Sequence, residues 1–297
     1  MDSYLLTLAI IVGIYMLLAL SLDLQYGFTG LINFGLAGFF AIGAYTSALL
    51  TMLGHWSPLL SFPAAALLAA LLAWPIGRVA LRLRDDYLAI VTLGFSEIVR
   101  LVLTQEQWLT QGVRGLAGVP RLGAGWGDVR FNDMFLLGML ALTIVAVILF
   151  LRRLTNSPYG RTIQAIRDDE TAVRVLGKEP ARFKTQILML GGAIAGLAGA
   201  FYAHYMTYIV PDQYVPLITF YIWMAIIMGG VARLSGAVVG AVILVAFTEG
   251  VRFSRGFIPG VSDAAMGSVQ LGLVGLVLIL FMRWRPQGVF GTKGADR

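Results

Sequence analysis

Long apolar runs separated by short polar clusters set the pattern of this chain. Nine stretches stand out: Tyr4–Leu22, Leu31–Met52, Ser61–Ala80, Tyr87–Leu103, Met134–Leu151, Gln186–Met206, Leu217–Gly229, Gly236–Val251 and Gly267–Met282. Several reach the roughly 18–20 residues that cross the hydrocarbon core of a bilayer. A soluble core helix would carry polar residues every three or four positions, and barrel strands would alternate polar with apolar; these runs do neither. A spanning segment must satisfy its own backbone hydrogen bonds, so each stretch is read as a helix. The expected fold is an all-α integral membrane protein, a polytopic bundle of about nine transmembrane helices in one domain over residues 1–297.

Composition sharpens this picture. The chain is 58% hydrophobic and only 13% charged, about half the charged share of a soluble domain. The first run, from Tyr4, has no basic segment before it and no small-residue cleavage site, so it reads as a span and not as a signal peptide. With no Cys, disulfides and thiol chemistry are excluded. His55 and His204 lie too far apart in sequence to suggest a metal site. No HExxH, GxSxG or His/Asp cluster supports a membrane enzyme. The net charge of +6 could suggest nucleic acid, but its distribution follows membrane topology instead.

Lys and Arg fix the expected orientation. With the N-terminus outside, 16 of them fall in the cytoplasm, five outside and one, Arg100, within a span. The opposite orientation reverses that ratio, so the N-terminus is expected outside and the C-terminus inside. Half of the cytoplasmic set, eight side chains, lies between Arg152 and Lys184.

That loop, residues 152–184, is more than a charged tether, since a connection between spans needs only a few residues. Ser157-Pro158 is a helix-start signal with Pro at the first helical position. Tyr159, Ile163 and Ile166 then recur on one face at helical spacing. Asp168 or Asp169 is placed to cap a second short helix, with Glu170 in its first turn, Arg174 in its last and Gly177 as terminator. Two short capped helices with apolar faces, outside the bilayer, are expected to dock on another protein.

Four stretches carry a family resemblance: "GFTGLINFGLAGFFAIGAYTSALL" (Gly27–Leu50), "RDDYLAIVTLGFSEIVRLVL" (Arg84–Leu103), "SPYGRTIQAIRDDETAVRVLG" (Ser157–Gly177) and "RWRPQGVFG" (Arg283–Gly291). In this order they resemble the branched-chain amino-acid ABC importer permeases, over nearly the whole chain, and lean toward the M-type subunit over its H-type partner. The resemblance implies a five-part importer in the bacterial inner membrane. Two dissimilar permeases form the pathway, two cytoplasmic ABC ATPases drive it, and a periplasmic binding protein delivers a branched-chain or other hydrophobic amino acid. Relatives that carry urea, short amides or other small solutes keep the substrate open. Tyr159, Gly160, Arg161, Ala165, Ile166, Arg167, Asp168 and Glu170 are then the expected ATPase-coupling residues. No G-x-x-x-x-G-K-[ST] phosphate cradle occurs; the nearest approach, at Gly177-Lys178, has Ala172 where the upstream Gly belongs. The chain is therefore expected to carry no cofactor, with ATP bound by its partners.

Glycines mark the helix contacts. Gly192 and Gly196 form one GxxxG and Gly236 and Gly240 another, a spacing that lets helix backbones approach closely in lipid. Gly27, Gly30, Gly35, Gly38 and Gly43 crowd the second span around Asn33. A broken helix there would turn backbone groups toward a cavity, as discontinuous transporter helices do. Asn33, Gly35 and Gly38 are thus candidate pathway residues.

Charge inside the membrane is the remaining signal. A helix rise places Glu97 about 15 Å below Tyr87, near mid-bilayer, with Arg100 on the same face. Lipid exposure of such a pair is unfavourable. It is either a clamp between helices or, with Thr92 and Ser96, a polar patch beside the translocation route. In a stand-alone, ion-coupled transporter the same pair would act as a relay. The longest external loop, residues 104–133, carries Trp108 and Trp126 as interface anchors or as part of a receiving surface for the binding protein.

Overall fold

The computed structural model describes residues 2–80, 85–123 and 128–254, and residues 272, 275, 276, 279, 280, 283, 288 and 289. The chain begins with α1 (Asp2–Leu22), which widens into a π turn over Asp23–Gly27. A non-helical stretch, residues 28–35, leads into α2 (Leu36–Met52). There follow α3 (Pro58–Ala80), α4 (Asp85–Gln105), the short α5 (Gln107–Thr110), a 3-10 turn (Gly112–Arg114) and β1 (Leu116–Ala117). Beyond them run α6 (Val129–Thr155), the two small helices α7 (Pro158–Asp168) and α8 (Glu170–Val175), then α9 (Pro180–Met206). After β2 (Tyr208–Ile209) and a 3-10 turn (Pro211–Tyr214) come α10 (Leu217–Gly229) and α11 (Leu234–Ser254).

Among the described residues, six helical segments are long and apolar enough to cross a membrane: Ser3–Gly27, Pro58–Arg78, Tyr87–Gln105, Val129–Thr155, Pro180–Met206 and Leu234–Val251. The chain is an all-α polytopic membrane protein. α2 is a shorter apolar helix, and the 13 residues of α10 rise only about 20 Å. The ninth expected span, Gly267–Met282, lies outside the described residues except at Gly272, Gly275, Leu276, Ile279 and Leu280.

α9 sits at the centre, packed against α1, α2 and α3. Small residues make that approach possible. A Cβ on Gly43 would strike the backbone of Gly196, and one on Gly199 the carbonyl of Phe40. Gly240 is pressed under the Ala225 carbonyl in the same way, which seats α11 on α10. The expected packing role of both GxxxG pairs holds. Pro63 and Pro75 stand inside α3 without ending it, as membrane helices allow when neighbours satisfy the freed carbonyls.

At the bundle end opposite α7 and α8, β1 pairs antiparallel with β2, Leu116 facing Ile209 and Ala117 facing Tyr208. His204 joins this closure. Its Nδ1 lies 2.6 Å from the Pro120 carbonyl and its Nε2 2.8 Å from Ser47 Oγ. The expected external loop is thus anchored to the bundle. Trp108 is 80% exposed there, while Trp126 lies outside the described residues.

Candidate functional site

The second span does not begin at Leu31 as its apolar pattern suggests. Its helix starts five residues later, and the cause is Asn33. The Asn33 Oδ1 accepts the Gly35 N–H at 2.7 Å, offering the backbone a bond that competes with helix. Gly30, at φ +73°, turns the chain at the start of this break, a conformation that suits Gly.

Side chains from other elements take up several of the backbone groups that the break frees. Thr92 Oγ1 of α4 accepts the Phe34 N–H at 3.0 Å, and Thr219 Oγ1 of α10 accepts the Ala37 N–H at 3.0 Å. Trp223 donates its indole N–H to the Asn33 carbonyl at 3.2 Å. The Asn33 amide donates to Gln25 Oε1 at 2.7 Å, and Ser21 Oγ donates to the Gly191 carbonyl at 2.7 Å. A non-helical segment at membrane depth persists only when buried in protein or lining water; here Thr29, Leu31, Asn33 and Gly35 are buried and the residues between them partly exposed. Asn33, Gly35, Gly38, Thr92 and Ser96 come together, all buried. A Cβ on Gly35 would meet the Thr92 carbonyl at 2.5 Å, and one on Gly38 the Ser96 Cα at 2.9 Å. The Ser96 hydroxyl has no hydrogen-bond partner among the described residues.

Asp23 is the residue that pattern reading missed. It lies in the π turn, fully buried, and its Oδ1 accepts the Ala232 N–H at 2.8 Å across the α10–α11 connection. Its Oδ2 has no partner among the described residues. Ser21, Asp23 and Gln25 are three polar residues closing an otherwise apolar run, and that interruption was the available signal.

Glu97 and Arg100 stand apart from this cluster. Arg100 Nε bridges both Glu97 oxygens at 3.1 Å, and its Nη1 reaches Asp212 Oδ1 at 3.1 Å. Glu97 lies near the middle of α4 (Asp85–Gln105), and Arg100, one turn on, reaches Asp212 in the 3-10 turn after α9. The Glu97 and Arg100 side chains are 37% and 21% exposed. The geometry is that of a clamp between α4 and the loop.

The coupling loop forms as its caps require. Ser157 Oγ accepts the Gly160 N–H at 3.2 Å, with Pro158 at the first helical position of α7. Asp169, one of the two expected candidates, caps α8 through the Ala172 N–H at 2.9 Å. Glu170 pairs with Arg174 at 2.8 Å and with Lys184 of α9 at 2.7 Å. Burial by itself would raise the Glu170 carboxyl; the hydrogen bond and charge of Lys184, then Arg174, outweigh it and hold it below its ordinary value. Tyr159 donates to Gln186 Oε1 at 3.0 Å, and burial pushes its hydroxyl up to about 12.

One expectation about this loop is overturned. The apolar face does not wait for a partner: Ile163, Ile166 and Val173 are buried against the chain itself. Gly160 is buried too, and a Cβ there would strike the Thr155 carbonyl. Tyr159 and Glu170 are half-buried. An amphipathic pattern states that a face is covered, not by whom. The outward surface is instead Arg161, Ala165, Arg167 and Asp168, followed by Val175 (83% exposed) and Leu176 (78%) at the tip of α8. Val175 and Leu176 were absent from the sequence-based set.

Arg167 links the two regions. Its Nη1 donates to the Gly27 carbonyl at 2.7 Å, at the end of the π turn, and its stem lies against Gly30. A second fork of the same guanidinium pairs with Asp168 at 3.0 Å. The small helices outside the spans therefore grip the buried break directly.

A polytopic helical bundle with a broken second span and a capped two-helix loop at one end defines a transporter membrane subunit. The family model described as branched-chain amino acid transport system / permease component matches residues 4–282, and the chain belongs to that family. The high-affinity branched-chain amino acid transport system permease protein LivM of Escherichia coli is 33% identical, over 95% of this chain and 69% of its own length. LivM of Salmonella typhimurium is 34% identical, over 93% and 67%. The E. coli permease protein LivH is 27% identical, over 95% and 93%. No solved structure matches.

Proposed function

We propose that this chain is the M-type membrane subunit of an ATP-driven importer for branched-chain or other hydrophobic amino acids. It forms the pathway with an H-type permease, takes its drive from two cytoplasmic ABC ATPases, and receives substrate from a periplasmic binding protein. It lies in a bacterial inner membrane as a single domain of about nine spans, N-terminus outside and C-terminus inside. It has no cofactor of its own and catalyses nothing; its partners bind ATP.

The observation that carries this reading is the Arg167 bridge from the coupling loop to Gly27. A motor that moves α7 pulls on the end of the π turn. The segment after it is bonded to α4 through Thr92 and to α10 through Thr219 and Trp223, so the pull reaches both helices. α4 is the least enclosed of the six described spans and α9 the most. Its open face suits the second permease; Glu97 and Arg100, partly exposed, begin a polar stripe beside the path that Thr92 and Ser96 continue as buried groups. Asn33, Gly35 and Gly38 back that stripe. A weakly polar route suffices because the external protein supplies recognition.

The motor meets the outward residues of the loop, Arg161, Ala165, Asp168, Val175 and Leu176. The test is leucine uptake into proteoliposomes. Uptake is expected only with both permeases, the ATPases, ATP and the binding protein present. Uptake by the lone chain under a proton or sodium gradient overturns the proposal. The guanosine ABC transporter permease protein NupQ of Bacillus subtilis is 27% identical over 59% of this chain, so guanosine is the substrate to run beside leucine.

A further inference from the structure

A groove of about 600 Å³ opens between the last turn of α3 and the first turns of α9, at the bundle end that carries α7 and α8. Two arginines flank it. Arg78 lies over the Trp74 ring, its Cζ 4.9 Å from the centroid, and Arg182 faces it from α9. Among the described residues neither guanidinium has an ion-pair partner. Thr185 and Gln186 lie beside Arg182 on the same face of α9, and Met189 continues that face toward the bilayer. Glu179, the one carboxylate in the lining, leaves one positive charge in excess.

Three features single out one kind of occupant. The groove lies at the adjoining ends of two spans, Pro58–Arg78 and Pro180–Met206, where lipid headgroups are expected. Trp74 is 46% exposed, as an aromatic anchored at the interface would be. Above it, Leu67, Leu71 and Leu72 form an apolar stripe 61%, 52% and 40% exposed on α3, where an acyl chain can lie. Cationic pockets between spans on the cytoplasmic side bind anionic lipid headgroups, and paired guanidinium forks match phosphate oxygens.

We propose that this groove is a binding site for the headgroup of an anionic phospholipid, held by Arg78 and Arg182 with its acyl chain along Leu67 and Leu71. Gln186, in the lining, accepts the hydrogen bond of Tyr159, so a bound lipid touches the residue that steadies α7. The site rests on the membrane placement of α3 and α9 and not on the identity of the motor. It is therefore tested on the full chain alone, where failure leaves the importer reading intact.

The experiment exchanges the purified chain into micelles containing phosphatidylglycerol brominated on its acyl chains and reads tryptophan quenching, with brominated phosphatidylcholine as the neutral comparison. Trp74→Phe identifies the Trp74 share of the signal. Wild-type protein is expected to favour phosphatidylglycerol, and R78Q/R182Q to weaken that apparent affinity about tenfold or more. R152Q/R153Q, which removes equal charge from the end of α6, is expected to retain it. An unchanged thermal unfolding midpoint for R78Q/R182Q in neutral micelles confirms its fold; if that variant unfolds, R182Q alone carries the test, with a several-fold loss expected. Equal weakening in R152Q/R153Q means diffuse surface attraction and overturns the site. Displacement of the lipid by millimolar inorganic phosphate means a free-anion site and overturns the lipid assignment. Loss of quenching when the ATPases are added means that the motor covers the groove, and overturns it as well.

Discussion

The break at residues 28–35 and the loop formed by α7 and α8 are both polar islands in an apolar chain, yet they are built on opposite plans. At the break Asn33 is fully buried, as are Asp23 and Gln25 in the π turn before it, and side chains of α4 and α10 bond the backbone of residues 33, 34 and 37. In the loop, Ile163, Ile166 and Val173 turn inward, while Arg161, Arg167 and Asp168 stay at the surface beside Val175 and Leu176. The first region is fixed by its neighbours, while the second is free to be gripped. Among the hydrogen bonds of the described residues, that of Arg167 to the Gly27 carbonyl joins α7 to the π turn before the break, which makes one guanidinium a junction between the core and the outward surface of the loop.

That contrast can be broken by substitution, and the largest effect belongs to the core. Asn33→Leu removes the acceptor for Gly35 and the donor to Gln25 together. It leaves buried groups unpaired, and should cost about 3 kcal/mol in denaturant unfolding in detergent. A loss near zero would mean that the break is not held by Asn33. Arg167→Met should leave the fold within about 1–2 kcal/mol of wild type, since its side chain is partly exposed and only one charged hydrogen bond to the core is lost. Its transport per ATP should fall several-fold.

On the loop the expected effects are smaller and depend on pH. Glu170 is held below its usual value in the folded chain, so its stabilising contribution is complete above the unfolded value of about 4.5. It is lost as pH falls through the lower folded value. Proteolysis of α8 should therefore rise in acid for wild type, while Glu170→Gln should be susceptible already at neutral pH and change little on acidification. Arg100→Met should be the mildest, about 0.2–1 kcal/mol, because its clamp to Glu97 and Asp212 is partly solvated. A loss above about 3 kcal/mol would contradict the clamp reading.

Much of this was legible in the residues. The spans follow from uninterrupted apolar runs, because lipid leaves the backbone no partner but its own helix. The caps at Ser157 and Asp169 were readable because capping is local chemistry. Asn33 among glycines announced the break. What closed around the break was not legible: Thr92, Thr219 and Trp223 are distant in sequence, and only folding brings their donors and acceptors to residues 33–37. The direction of the loop's apolar face was hidden for a related reason. Periodicity in Tyr159, Ile163 and Ile166 demands a cover but is silent on whether the chain or a partner supplies it. This matters for experiment, since Asp at Ile166 would unfold the loop, whereas Asp at Arg161, Ala165, Val175 and Leu176 tests docking alone.

The account rests on force passing from the loop to the break through Arg167, and the ratio of substrate moved to ATP hydrolysed tests this most directly. In the reconstituted complex, Arg167→Met should assemble with its partners and hydrolyse ATP while transport falls several-fold. An unchanged ratio in a fully assembled complex would contradict the account.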